Sequence, residues 1–392
     1  MDGLSERSLS FDPAAIHRVL IYRLGSLGDT MVTLPALHVV ERAFPHAERR
    51  LLTNLPVHAK AAAAWAVLEG SGLIQSTMSY PVGTRNPLAL GRLVWEIRRF
   101  GPEVLVYLAQ PRGRKLVARD VRFFRACGIR KFIGVPEGDL GECRYDAASG
   151  LWEQEAARLL RCVQPLGEAD ANDLRNWDLR LTEKELARGR AALAPLGGAA
   201  FVACGPGTKM QANDWGRENW RALLGRVSEE LRDRALVLVG AKEDFAAGEF
   251  AGAAWHGSVL NLCGELTPRE TAAVLREAEL FLGPDSGPKH LAAAQGVPCA
   301  LVFSARDRRG VWFPPGKGHR VVRHELDCAG CGLTTCIEQG KKCIASVTVD
   351  EMLAAAMDAW GQGRDEAVGE KAVSSRPLVQ KQDDKGGAPA SV

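Results

Sequence analysis

No run in the 392 residues approaches the ~18 uninterrupted apolar positions of a membrane-spanning helix, so no such helix is expected. The first 13 residues are polar and acidic and lack the apolar core of a signal peptide, which points to the cytoplasm. An excess of one charge is also missing. The 50 Lys and Arg against 47 Asp and Glu leave a formal net charge of +3, too small at this length to suggest a nucleic-acid partner. Three catalytic or nucleotide signatures are absent: a Gly-x-Ser-x-Gly elbow, a Gly-x-x-x-x-Gly-Lys loop, and a complete Gly-x-Gly-x-x-Gly with an acid about 20 residues on. What remains is the composition of a soluble globular protein, 46% hydrophobic and 25% charged, of a length that predicts about two domains. The 10 cysteines, in a reducing compartment, read mostly as small buried hydrophobes.

The opening unit sets the organisation. Val19-Leu20-Ile21-Tyr22 is a short buried strand, Arg23-Leu24-Gly25-Ser26-Leu27-Gly28 a glycine turn, and 30–44 a helix with Met31, Leu34, Leu37, Val40 and Ala43 on one face. Asp29 stands just before that helix, either as its cap or facing a cleft as a catalytic group. Residues 1–15 read as a leader and 16–170 as a first α/β domain. Strands are expected at 50–53, 73–78 and 103–108, with helices at 57–68, 88–100 and 152–166. The stretch 112–131 carries many cations, Arg112, Arg114 and Lys115 first, against one acid, Asp120. It is either a solvated face or an anion-binding wall beside a strand's carboxyl end.

After a polar linker, the same pattern repeats over 178–346. A helix at 181–196 has Thr182 and Glu185 as a capping box, and one at 267–278 has Thr267 and Glu270. A closing helix is expected over 347–361 and a disordered tail over 364–392. Two loops of this second half carry chemistry. Gly205-Pro206-Gly207-Thr208-Lys209 leaves a strand, where amides cradle phosphate, Thr208 donates and Lys209 neutralises charge; the plain alternative is an ordinary turn with an exposed lysine. Gly283-Pro284-Asp285-Ser286-Gly287-Pro288-Lys289-His290 places Asp285 and Ser286 before a helix N-terminus that favours a diphosphate, with Asp285 suited to sugar hydroxyls and His290 one turn in. Its plain alternative is an N-cap with a core histidine.

Three motifs together resemble glycosyltransferase family 9, the bacterial heptosyltransferases of lipopolysaccharide synthesis. They are Arg23-Leu24-Gly25-Ser26-Leu27-Gly28-Asp29 with Leu34-Pro35, Pro206-Gly207-Thr208 before Trp215, and Asp285-Ser286-Gly287-Pro288-Lys289-His290. The resemblance spans about 17–360. It implies an α/β GT-B fold, two Rossmann-like domains facing across a cleft, with the donor mostly on the second. It further implies inverting transfer of a heptose or related sugar from a nucleotide-diphosphate donor, typically ADP-heptose, to a lipid-linked or lipopolysaccharide-core acceptor. No cofactor or essential metal is required. Contact with the inner face of the cytoplasmic membrane would be peripheral, and no nucleic acid is involved. The family's base falls on Asp29, its donor contacts on Thr208, Asp285, Ser286, Gly287 and His290. Leu266 falls near the adenine segment and Glu243 or Asp244 near the ribose acid. Gly25 and Gly28 would keep the backbone low beside Asp29, so the turn reads as the site of proton removal with the cap as the minority role. Arg112, Arg114 and Lys115 would face the acceptor. Many members have a Lys where this chain has Asn213, and Lys209 is the substitute; this departure leaves the sugar nucleotide open.

Cys328, Cys331, Cys336 and Cys343 have a spacing that permits four thiolates on one structural metal, with reduced or disulfide-capable cysteines as the alternative. Two other functions fit the same motifs: a sugar-nucleotide epimerase or hydrolase that needs no acceptor, and a non-catalytic sugar-nucleotide binding protein.

Overall fold

The computed structural model describes Leu9 and residues 11–54, 63–110 and 112–374. Strands β1 (Arg18–Tyr22), β2 (Glu48–Asn54), β3 (Ser76–Tyr80), β4 (Val104–Tyr107) and β5 (Lys131–Ile133) form one parallel sheet in the order β3-β2-β1-β4-β5. The continuous apolar run of β1 suits its central place, because a parallel strand is covered on both faces; Val19, Leu20 and Ile21 are wholly buried. A short antiparallel hairpin, β6 (Tyr145–Asp146) with β7 (Leu151–Trp152), stands apart. The second sheet holds β8 (Phe201–Cys204), β9 (Ala235–Leu238), β10 (Val259–Asn261), β11 (Leu280–Pro284), β12 (Cys299–Val302) and β13 (Arg320–Val322), ordered β10-β9-β8-β11-β12-β13. Both orders are doubly wound, so each sheet reverses direction at one place, between β1 and β4 and between β8 and β11. Ligands of such sheets bind at the carboxyl ends of those strands.

The first-domain helices are α1 (Leu27–Met31), α2 (Leu34–Ala43), α3 (Ala64–Leu68), α4 (Pro87–Phe100), α5 (Arg114–Ala126) and α6 (Glu155–Val163). The single helix expected over 30–44 is two. Pro35 occupies the first turn of α2, where its missing N–H costs nothing, and the break lets α1 start at Leu27, so Asp29 lies inside a helix. Of the helix expected at 57–68, residues 57–62 lie outside the described residues, Ala63 is the N-cap and Ala64–Leu68 is helical. The basic stretch is helical from Arg114, after Gly113 at φ +79°, and its end at Lys131 belongs to β5.

Helices α7 (Glu183–Leu193), α8 (Arg217–Glu230), α9 (Phe245–Gly252), α10 (Pro268–Leu275), α11 (Gly287–Ala294) and α12 (Lys342–Ala345) follow. Both expected capping boxes form: Glu185 accepts from Thr182 N at 2.7 Å and Glu270 from Thr267 N at 2.8 Å. The closing helix α13 runs Val349–Ser374, so residues 364–374 of the expected disordered tail are helical; 375–392 lie outside the described residues. One apolar cluster runs from Val19 and Ile21 to Phe201 and Phe281, joining the two halves below the cleft. Buried Arg269 of α10 ties the seam, donating to Val67 O (3.0 Å), Leu179 O (2.9 Å) and Arg180 O (3.0 Å) and pairing with Glu185 (2.6 Å).

Candidate active site

The turn after β1 is shaped around Asp29. Gly25 has φ +133°, and a Cβ there would overlap the Asp29 side chain, so the position admits only glycine. Asn54 at the end of β2 accepts from Gly25 N at 2.7 Å. Asp29 Oδ2 accepts from Ser26 N at 2.8 Å, which caps α1. Its Oδ1 accepts from Gln110 Nε2 and lies 3.9 Å from Arg23 Nη2. The side chain keeps 17% exposure. The cap is therefore no minority role, and Asp29 itself does not line the cleft cavity that Ser26, Leu27 and Gly28 of the same turn border.

Arg23 is a buried fork beneath this turn. Its Nε donates to Asp29 O at 3.1 Å and its Nη1 to Leu108 O (2.8 Å) and Glu155 Oε1 (3.0 Å). Burial would raise the Glu155 carboxyl, but Arg158, at 2.7 Å, and Arg23 hold it below the ordinary carboxylate range. Gln110, Glu155 and Arg158 did not stand out in the sequence. Gln110 follows β4, the neighbour of β1 at the reversal point, and that pairing is the signal that locates it.

Across the cleft, the loops after β8 and β11 face this turn. They enclose a cavity of about 300 Å³ lined by Ser26, Leu27 and Gly28 on one side and by 207–210, Gly240, Ala241, Asp244, Leu266 and 285–288 on the other. Lys209 Nζ donates to Ser26 Oγ across the gap, and Thr208 Oγ1 accepts from Met210 N at 3.2 Å. Ser286 Oγ is buried against the cavity with no hydrogen-bond partner among the described residues, an orphan that a ligand would satisfy. Asp285 pairs with Lys289 Nζ at 2.8 Å. Lys289 is fully buried, donates to Trp312 O and lies 4.5 Å from the centre of the Phe303 ring; burial lowers its ammonium despite Asp285. Asn213, the departure noted above, donates to Asp285 O at 3.1 Å, so it fixes the loop's backbone.

The remaining expected residues separate. Asp244 lines the cavity, accepts from Ala241 N at 3.0 Å and lies tight against Gly207; Glu243 is exposed and outside it. Leu266 lines the cavity, and Gly287 packs on Leu27. His290 is buried against Gly28 and does not line it; burial, then Lys289, push its imidazole well below the ordinary value. Arg112 turns inward, donating to Tyr22 OH (2.7 Å) and Asp120 (2.9 Å), and lines a second cavity of about 380 Å³ walled by Tyr22, Tyr80, Phe123 and Phe124. Arg114 and Lys115 are exposed and line neither cavity. Cys328, Cys331, Cys336 and Cys343 surround a gap of about 20 Å³, yet among the described residues no three His, Cys, Asp or Glu side chains are placed to share a metal ion.

The sequence model of glycosyltransferase family 9 (heptosyltransferase) matches residues 159–342. The chain is 26% identical to lipopolysaccharide heptosyltransferase 1 of Pseudomonas aeruginosa over 344 residues, 82% of this chain and 88% of that one. Its fold is similar to that of a family 9 glycosyltransferase from Veillonella parvula (TM-score 0.64, 16% identity, 90% of this chain and 99% of the other). It is also similar to ADP-heptose lipopolysaccharide heptosyltransferase II of Escherichia coli (TM-score 0.59, 16% identity, 88% and 99%). The chain is thus similar to glycosyltransferase family 9 along most of its length, and its fold is two Rossmann-like domains in the GT-B arrangement.

Proposed function

We propose that this enzyme is an inverting transferase that moves a heptose or related sugar from a nucleotide diphosphate, ADP-heptose first, to a lipid-linked lipopolysaccharide-core acceptor. One observation carries the reading. The turn that holds Asp29 and the two second-domain loops line a single cavity, of a size near the lower end for ligand sites.

Asp29 takes the proton of the acceptor hydroxyl as that oxygen bonds to the anomeric carbon from the face opposite the diphosphate. The bond from that carbon to the diphosphate breaks, and the nucleoside diphosphate leaves. Gln110 and Ser26 N hold the carboxylate in place, and Arg23 anchors its backbone. Lys209, Thr208, the orphan Ser286 hydroxyl and the amides opening α11 take up the charge of the leaving group. These cations and amides do the work, and no metal or cofactor is required. Asp285 faces the sugar hydroxyls, and Lys289 balances its charge so that a diphosphate tolerates it nearby. Asp244 rather than Glu243 faces the ribose, beside Leu266 at the adenine. The acceptor enters from the first domain, where Arg112 borders an aromatic cavity two residues beyond Gln110. The enzyme works on the inner face of the cytoplasmic membrane.

The test is incubation with ADP-heptose, with and without a deacylated lipopolysaccharide core. ADP release and one heptose added to the core, both only when core is present, are expected. Asp29→Ala abolishes transfer and keeps donor binding by calorimetry. Release without core would mark an epimerase or hydrolase, and binding without any release a non-catalytic protein; either outcome overturns the reading.

A further inference from the structure

Helices α4 and α5 cover one face of the first sheet. Leu93, Ile97 and Phe100 of α4 and Val117 and Phe124 of α5 point inward with Leu20, Tyr22, Leu105 and Tyr107. The two helices are tied by Arg98, which donates to Ala126 O at 2.8 Å. The outer side of α4 is one stripe, Leu88, Arg92, Trp95 and Arg99, at i, i+4, i+7 and i+11. Leu88 is 82% and Trp95 56% exposed, and the Arg99 guanidinium lies 5.1 Å from the centre of the Trp95 ring. Val82 before α4 and Leu116 on α5 are exposed at 48% and 39%. Alongside, α5 presents Lys115, Arg119, Arg122 and Arg125 outward. The acids of the two helices are Glu96, paired with Arg92 at 2.9 Å, and Asp120, buried between Arg112 and Arg119.

We propose that this face docks on an anionic lipid surface, with Leu88 and Trp95 entering the headgroup layer and the surrounding arginines meeting lipid phosphates. Single exposed apolar residues are ordinary, but an aligned Leu and Trp within a cationic field is the pattern of a helix lying in a membrane interface. Tryptophan concentrates at that depth, and the cation excess complements anionic headgroups. An acidic protein would match the charge alone, without a use for the Leu88–Trp95 stripe. The place also fits. α5 begins four residues after Gln110, which holds Asp29, and is about 20 Å long, so a bilayer on this face runs beside the cleft. That delivery of acceptor rests on the proposed reaction, whereas the docking does not.

The full chain is floated with vesicles of phosphatidylcholine alone and of phosphatidylcholine mixed with phosphatidylglycerol, at low and high salt. Binding to the mixed vesicles only, weakened by salt, is expected. Leu88→Ser with Trp95→Ser, and separately Arg92→Glu with Arg99→Glu, lower the bound fraction about tenfold or more, with Tm and turnover of a soluble deacylated acceptor unchanged. No flotation of the wild type, or variants that float equally well, overturns the docking. So does self-association in solution that the Leu88→Ser, Trp95→Ser variant abolishes without any vesicle binding, which assigns the face to a second copy. Flotation as expected with no transfer to any acceptor upholds the docking and rejects the reaction.

Discussion

At the scale of single residues, Asp29 is held from two directions, by Ser26 N within its own turn and by Gln110 beyond β4. Asp29 lies within a local motif of strand, glycine turn and helix, and local motifs survive without knowledge of the fold. Read from the sequence, its cap is only the minority role. Whether a carboxylate caps a helix depends on where the helix starts, and Pro35 moved that start to Leu27. Gln110 is 81 residues away and meets Asp29 because β1 pairs with β4 in register, Tyr22 opposite Tyr107. Gln110→Leu keeps the volume and removes the bond to Oδ1. The carboxylate then loses one of its anchors, and if Asp29 is the base proposed above, its misplacement costs on the order of 10²-fold in kcat. Donor affinity by calorimetry stays the same, since Gln110 does not line the donor cavity. A tenfold loss of donor affinity with unchanged kcat would contradict this role. Lys289 gives the complementary case. Lys289→Met fits the same buried space but leaves Asp285 without its cation, so donor binding weakens by about tenfold at neutral pH while kcat at saturating donor changes little.

At the scale of elements, the sequence announces what is local and sequential. Thr182 with Glu185 and Thr267 with Glu270 mark helix starts because the capping box is written within four residues. β5 and β13 are not legible in the sequence because each is a three-residue edge strand that opens on a cation, Lys131 or Arg320, so pairing rather than apolar content makes it a strand. The seam between α10, α7 and the linker depends on Arg269, whose five hydrogen-bonding directions are all met by groups far apart in the chain. Arg269→Met leaves three backbone carbonyls and Glu185 without their donor. Breaking such a buried pair costs about 3–5 kcal/mol. The expected result is a Tm lowered by several degrees in thermal unfolding, with the loss shared by Glu185→Gln to a smaller extent because that carboxylate is nearer the surface. Equal Tm for Arg269→Met and the wild type would mean that the seam is held by apolar packing alone.

At the scale of the whole molecule, the near-balance of charge says little, and the burial of histidines says more. His38, His290 and His319 all lie inside, and burial lowers each imidazole below the ordinary 6.5, His319 to about 4 and His290 well below that ordinary value. His38 Nε2 is 2.9 Å from Asp178 O and His319 Nε2 is 2.8 Å from Pro315 O, contacts a neutral ring makes as donor, while His319 Nδ1 has no hydrogen-bond partner among the described residues. Above pH 6.5 the rings are neutral in both the folded and the unfolded chain, and their contribution is fully present. As pH falls below 6.5 the unfolded chain takes up protons first, so stability declines, for His319 until the native ring itself charges near pH 4. A fall from 6.5 to about 4 corresponds to about 3 kcal/mol for His319 alone. Below the ordinary carboxylate value a second loss begins, because Glu155 and Glu185 have folded values lowered by their arginines and that stability disappears as they protonate. Thermal unfolding followed by tryptophan fluorescence should therefore show Tm level above about pH 7 and falling steadily to about pH 5, before most carboxylates titrate. His319→Gln can keep the bond to Pro315 O and cannot charge, so its curve should be flatter across that interval. A wild-type Tm that stays constant between those two values would show that the buried rings can ionise in place.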